Sequence, residues 1–292
     1  MLERIEFYKN RDIGERFSAA IDFLKQNWKV LYKNILLGGL PLAIISGILM
    51  TWQTHYMSTT YDIVNTSLLY IPSSIVSFIT MVYIYSMTGA VLLHYDRNQL
   101  TESTGWSDLK GTFSRFAGKT TLISLIVYMP VIIIAAIFAV FFIAFLESAS
   151  DGGMALSLFL FIIFFLGVFI AFAPSLVMLY FPSYFSEKTI GESIRTSFTL
   201  GVKNWGSLFV AIILTGIIFT IVYMVFSVPY AVVSMFSPRV NTITYILATL
   251  STMGILLTYP IMFLIFAFQY FSIVEREEGV SLQSQMSEFE NL

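Results

Sequence analysis

A chain of 292 residues with 57% hydrophobic and only 12% charged positions cannot present a mostly water-facing surface, because soluble domains carry about 25% charged residues. Its formal net charge of −2 gives no electrostatic basis for nucleic acid as a partner. The lack of cysteine excludes disulfides, thiolate metal sites and cysteine nucleophiles.

The first 33 residues are polar and amphipathic. Ile13, Phe17, Ala20, Ile21, Leu24, Trp28 and Leu31 recur at spacings of three and four, which predicts one apolar helix face. Asp12, Arg16, Asp22, Lys25, Gln26 and Lys29 fall mostly on the other face. Asp12 and Glu15 have the spacing of a capping box, which satisfies exposed amides at a helix start. The apolar run 34–52 comes next. No small-residue cleavage site succeeds it, so it is expected to remain as a signal-anchor span.

Five further runs without Asp, Glu, Lys or Arg lie at 68–93, 120–146, 154–182, 207–229 and 242–271. A span of the hydrocarbon core needs about 20 apolar residues. Backbone groups in lipid must pair internally, so each run reads as a helix. The expected fold is an all-α integral membrane protein with six transmembrane helices.

The segment IGESIRTSFTLGVKNW (190–205) rewrites IGERFSAAIDFLKQNW (13–28). Its stripe is Ile190, Ile194, Phe198, Val202, Trp205 and Leu208, and Thr189 with Glu192 repeats the capping-box spacing. A weaker copy, Leu109, Phe113, Phe116 and Thr120, precedes the third run. The pattern predicts a single membrane domain over 1–292. Its unit, a cytoplasmic amphipathic helix followed by a helical hairpin, is used at 12–93, 105–182 and 189–271, before a cytoplasmic tail at 272–292. Such helices lie in the membrane interface, where indole rings concentrate. Trp28, Trp205, Phe17, Phe198 and Phe113 are therefore the candidates for interfacial anchoring or docking. In the tail, Leu282, Met286 and Phe289 have helical spacing.

Fifteen of the sixteen Lys and Arg residues fall in 1–33, in the connections after the second and fourth runs, and in the tail; Arg239 alone falls on the other side. The positive-inside rule then places both termini in the cytoplasm. Pro41, Pro130, Pro174 and Pro260 interrupt spans and are candidate kinks, and broken helices build binding sites in some transporters. Gly38, Gly39, Ser46, Gly47 and Gly216 offer small surfaces for close helix packing.

Chemistry is harder to find. The runs carry no ionisable residue of the kind that marks proton relays. His94 with Asp96 supplies too few ligands for zinc, which wants three or four, and His94 is expected to be a satisfied interfacial residue. No phosphate loop, nucleophile elbow or paired-histidine motif is present. No catalytic residue, metal or cofactor is expected.

The Gln/Lys-Asn-Trp ends of the amphipathic helices, EKTIGESIRTSF (187–198) and YFSIVEREEGVSL (270–282) resemble the six-helix membrane domain found beside some bacterial glycerophosphodiester phosphodiesterases. The likeness is greater to the stand-alone bacterial relatives of that domain, and it covers most of the chain. The phosphodiesterases carry their chemistry in a separate soluble barrel, so the resemblance implies topology, a bacterial inner membrane and a non-catalytic role. The expected function is an accessory or scaffold for envelope proteins or lipids. Its partners would then be membrane lipids and another membrane protein, with no nucleic acid. The alternative is a transporter or exporter of an uncharged or lipidic compound. A polar cavity reaching the midplane would favour transport, and a dry bundle with a grooved cytoplasmic face would favour docking.

Overall fold

The computed structural model describes residues 4–59, 63–148, 151–186, 188–236 and 241–280, and those residues contain helices and no strand. The helices are α1 (Ile13–Thr59), α2 (Ile63–Asp96), α3 (Trp106–Ser148), α4 (Asp151–Val177), α5 (Phe181–Phe185), α6 (Ile190–Lys203), α7 (Trp205–Phe236) and α8 (Thr242–Glu278). Among the described residues five helical stretches are long and apolar enough to cross a membrane. The chain is a multi-pass helical membrane protein. The expected span 120–146 is helical within α3, but its side chains from 130 onward, with that of Pro130, lie outside the described residues. So does the tail stripe Leu282, Met286 and Phe289.

Two of the three surface helices expected as separate elements are not separate. Residues 13–31 are the opening turns of the 47-residue α1, and 106–120 open α3. Only 190–203 stands alone, ending at Asn204. The two Asn-Trp pairs begin alike, since Asn27 and Asn204 each donate from Nδ2 to the carbonyl four residues back, both at 3.0 Å. Beyond the tryptophans the two copies part. Lys29, Val30 and Leu31 continue α1, whereas Gly206 comes after Trp205, and glycine is about 1 kcal/mol less favourable than alanine in a helix. At the other end of the chain, α8 runs seven residues past its expected limit, to Glu278, and stops where Gly279 takes a left-handed φ of 60°.

The chain divides into two compact units, 1–117 with 210–292, and 118–209. In the first, α1 and α8 approach at small residues. A Cβ on Gly47 would lie 2.7 Å from the Thr249 backbone, and one on Gly39 would lie 3.1 Å from Leu256. The Thr252 hydroxyl donates to Ala43 O at 2.8 Å across the same seam. Lipid offers no hydrophobic drive for helix association, so such close contact is what holds the pair. Gly216 differs from that expectation: a Cβ there would meet nothing within 4 Å.

The segment before α1 closes one end of this unit. Phe7 is buried, stacked on Tyr95 (5.6 Å between ring centres) and on Phe271 (4.8 Å). Arg11 N–H donates to Ser272 Oγ. Arg16, expected on the polar face, is 4% exposed. Its Nη1 donates to Gln269 Oε1 at 2.7 Å and its Nε to Arg11 O. The inward face of α1 is therefore Arg16, Ala20, Phe23 and Leu31, of which Ala20 and Leu31 belong to the expected stripe and Arg16 and Phe23 do not.

The second unit repeats that register 177 positions later. Ser193, Ser197, Leu200 and Leu208, which correspond to Arg16, Ala20, Phe23 and Leu31, are all buried. Ser193 and Ser197 donate to Leu179 O and Met178 O, and Gly201 lies against Ser175. Both expected capping boxes form. Glu15 N–H donates to Asp12 Oδ1 at 2.7 Å and Asp12 N–H to Glu15 Oε2; Glu192 and Thr189 make the same reciprocal pair.

Candidate functional site: a polar cavity among four helices

A cavity of about 200 Å³ lies in the first unit between α1, α2, α7 and α8. From α1 it takes Ala43, Ser46, Met50 and Gln53, a set spaced three and four apart on one face. At 1.5 Å per residue these lie about 9 to 24 Å from the end of the helix, within the spanning length. Ser73, Ser77 and Thr80 come from α2, and Thr252, Ile255, Leu256 and Tyr259 from α8.

The fourth wall is an aromatic stripe on α7. Phe219, Tyr223, Phe226 and Tyr230 are spaced four, three and four apart, which puts them on one side of the helix. Phe219 lies 5.8 Å from the Tyr259 ring, Tyr223 lines the cavity, Phe226 covers Gly254, and the Tyr230 hydroxyl is 2.7 Å from Thr54 Oγ1.

Among the described residues no Asp, Glu, Lys, Arg or His lines the cavity, and the polar groups that do are neutral. Thr80 and Thr252 spend their hydroxyl protons on Val76 O and Ala43 O, so they turn lone pairs to the space. Gln53 Nε2 donates to Ser73 Oγ at 2.7 Å. Ser46 and Ser77 have no protein hydrogen-bond partner among the described residues. Beneath the cavity, Ala43, Ile84 and Leu256 form an apolar plug against which Tyr83, Tyr85 and Tyr259 pack.

Just past that plug the Tyr83 hydroxyl lies against the backbone of α1, which stays helical from Ile13 to Thr59. The Tyr83 hydroxyl accepts from Gly38 N–H at 3.0 Å and donates to Asn34 O at 2.7 Å. Those two groups pair with each other in an undisturbed helix. Gly38 is required there, since a Cβ would lie 2.7 Å from the Tyr83 ring. Three residues on, Pro41 supplies no N–H for Leu37 O. A side chain set against the helical ladder and a proline are both recognised origins of a kink, and here they lie three residues apart next to the cavity.

The other expected site residues are placed separately. Trp28 is 53% exposed, and Phe17, eleven residues earlier, shares its side of α1 and is half-buried. Phe113 is half-buried between Tyr83 and Trp106, at 5.4 and 5.0 Å. Phe198 lies edge-on to Phe172 at 6.1 Å.

Trp205 does something the sequence did not suggest. Its ring stacks on Phe209 at 4.7 Å, and its Nε1–H donates to Ile170 O at 3.3 Å. That carbonyl lies four residues before Pro174, whose missing N–H leaves it without a helical partner. Near Pro260 the Tyr32 hydroxyl donates to Leu257 O at 2.7 Å, one residue past the Leu256 carbonyl that the proline leaves without a helical donor. Pro72 and Pro229 also lie inside helices, and neither was among the expected kinks.

His94 Nδ1 sits 2.9 Å from Ala90 O, the satisfied arrangement expected of it. Among the described residues no three His, Asp or Glu side chains gather as a metal site. No protein family, curated protein or solved structure matches the chain.

Proposed function

We propose that this chain is a non-enzymatic membrane protein that admits an uncharged polar molecule, or the uncharged head of a lipid, to the cavity among α1, α2, α7 and α8. It would carry that group across or along the bilayer without chemical change. The observation that supports this reading is the cavity itself, where hydroxyls from four helices and a carboxamide lie among apolar side chains at a depth where water is scarce. An unpartnered hydroxyl in an apolar medium costs about 1–3 kcal/mol, so a space that collects several is stabilised by water or a ligand. The plug and the stretch of α1 beside it, where Tyr83 meets Gly38 and Pro41 follows, are where a gate would lie. Both termini would face the cytoplasm, given the basic residues at that end and the packing of Phe7 on Phe271.

Reconstituted protein tests the proposal by flux of uncharged solutes and of labelled neutral lipids. Loss of that flux in Ser46→Leu, which fills the cavity, is the expected result. Flux that the variant leaves unchanged, or no flux for any compound, goes against it.

A second reading, an accessory to envelope proteins or lipids in a bacterial inner membrane, draws on the resemblance and on a different observation. Trp28 is exposed, and Phe17, Ile21 and Leu24 on its side of α1 are half-buried, which leaves a face for interfacial or docking contact. A stoichiometric protein that co-purifies with wild type and is lost from Trp28→Ala supports it. Co-purification that the variant does not alter removes it.

A further inference from the structure

We infer that the cavity takes an uncharged polyol, a sugar or glycerol unit, presented either as a free solute or as the head of a glycolipid. The inference rests on the cavity reading above and names the class of its occupant. A charged occupant would meet no counter-charge among the lining residues, and an unpaired ion loses several kcal/mol of hydration on burial. An apolar occupant would leave the hydroxyls of Ser46 and Ser77 unmet. Hydrogen bonding in the cavity runs in both directions: Thr80 and Thr252 present acceptors because their protons are already donated, while Ser46 and Ser77 can give or accept.

A ligand hydroxyl also gives and accepts at one atom, so a compact group carrying several of them matches this lining. A ligand limited to acceptors, or to donors, leaves half of the lining unmet. The carbon faces of such a unit need apolar surface as well, which the rings of Tyr223 and Tyr259 and the side chain of Ile255 supply. Size agrees: about 200 Å³ lies below the roughly 300–1,000 Å³ of pockets for drug-sized ligands, yet far above the about 15 Å³ that one water needs.

The test is thermal unfolding of the full chain in nanodiscs and in a detergent without a sugar head, since maltosides and glucosides carry the proposed chemistry themselves. Four additions are compared: glucose with glycerol as free polyols, a monoglycosyl diacylglycerol in the bilayer, anionic phosphatidic acid, and octanol. The expected result is a saturable rise of about 2 °C or more with a polyol form, lost in Ser77→Leu and not produced by octanol. A rise with glucose or glycerol assigns the free solute, and one confined to the glycolipid assigns a lipid head. The same rise with octanol or only with phosphatidic acid overturns the polyol class. So does the lack of any rise. In those cases a Thr80→Cys chain that reacts with a hydrophilic thiol reagent leaves the cavity reading standing, and one that does not react removes both.

Discussion

Gly47→Ala and Gly216→Ala are the same chemical change and should have opposite signs. At Gly47 the new Cβ would sit 2.4 Å from Thr249 Oγ1 and 2.7 Å from the Thr249 Cα and N. Backbone cannot rotate away as a side chain can, so α1 and α8 must separate. Overpacking of this kind costs about 1–3 kcal/mol. Separation also weakens the Thr252 to Ala43 bond across the seam, about 1 kcal/mol more. Alanine's helix propensity returns about 1 kcal/mol, leaving a net loss of roughly 1–3 kcal/mol. At Gly216 there is nothing within 4 Å to meet, so only the propensity gain of up to about 1 kcal/mol remains. Reversible unfolding of both variants in mixed micelles, followed by far-UV circular dichroism against SDS fraction, measures the difference. Changes of the same sign and size at the two positions would refute the claim that the α1–α8 seam is set by close approach.

Trp205→Phe should cost about 1 kcal/mol by leaving Ile170 O unmet, and this cost should shrink in a Pro174→Ala background, where the helix supplies its own donor. A double-mutant cycle in the same unfolding assay reads that coupling. Gln269→Leu strips Arg16 Nη1 of a buried acceptor and should lose about 1.5–3 kcal/mol. The double variant Arg16→Met/Gln269→Leu should lose less than Gln269→Leu alone. Thr189, through its hydroxyl and then its N–H, holds the Glu192 carboxyl below the ordinary carboxylate range. The stabilisation of the α6 start is thus fully present above the usual glutamate pKa and is lost as pH falls through the lowered value. Amide exchange in the first turn of α6 should quicken over that fall in wild type and show no such step in Glu192→Gln.

Membrane class, helix content and the two reciprocal capping boxes were legible because each depends on local sequence: an apolar run of sufficient length, or a pair of residues three apart. The face that each surface helix turns inward was not. The expected stripe placed Ala20 and Leu31 correctly inside, but packing also buried Arg16 and Phe23 and left Trp28 exposed, because Gln269 across the interface accepts from the guanidinium. A glutamine in an apolar run is the available signal, and by itself it says only that the group can bond locally or across helices. Gly47 and Gly216 look equivalent in sequence and differ only in what lies opposite. Trp28 and Trp205 share a motif, yet Trp205 serves a proline break that a repeat comparison cannot reveal. The α7 aromatic stripe at 219, 223, 226 and 230 was visible by spacing. Its role as a cavity wall needed the hydroxyl faces of α1, α2 and α8, which only the fold brings together.

The central claim, a hydrated polar cavity within spanning helices, is tested most directly by thiol accessibility, and the natural lack of cysteine makes the chain suited to it. Ser46→Cys and Thr80→Cys enter the cavity. Ile45→Cys and Ile79→Cys, one residue earlier on each helix, sit at matching depth on exposed apolar positions. In intact liposomes a small, uncharged, hydroxyl-bearing thiosulfonate supplied in the water phase should modify the first pair and spare the second. Equal protection of all four would contradict the account, because the cavity would then be dry and its hydroxyls closed to any solute.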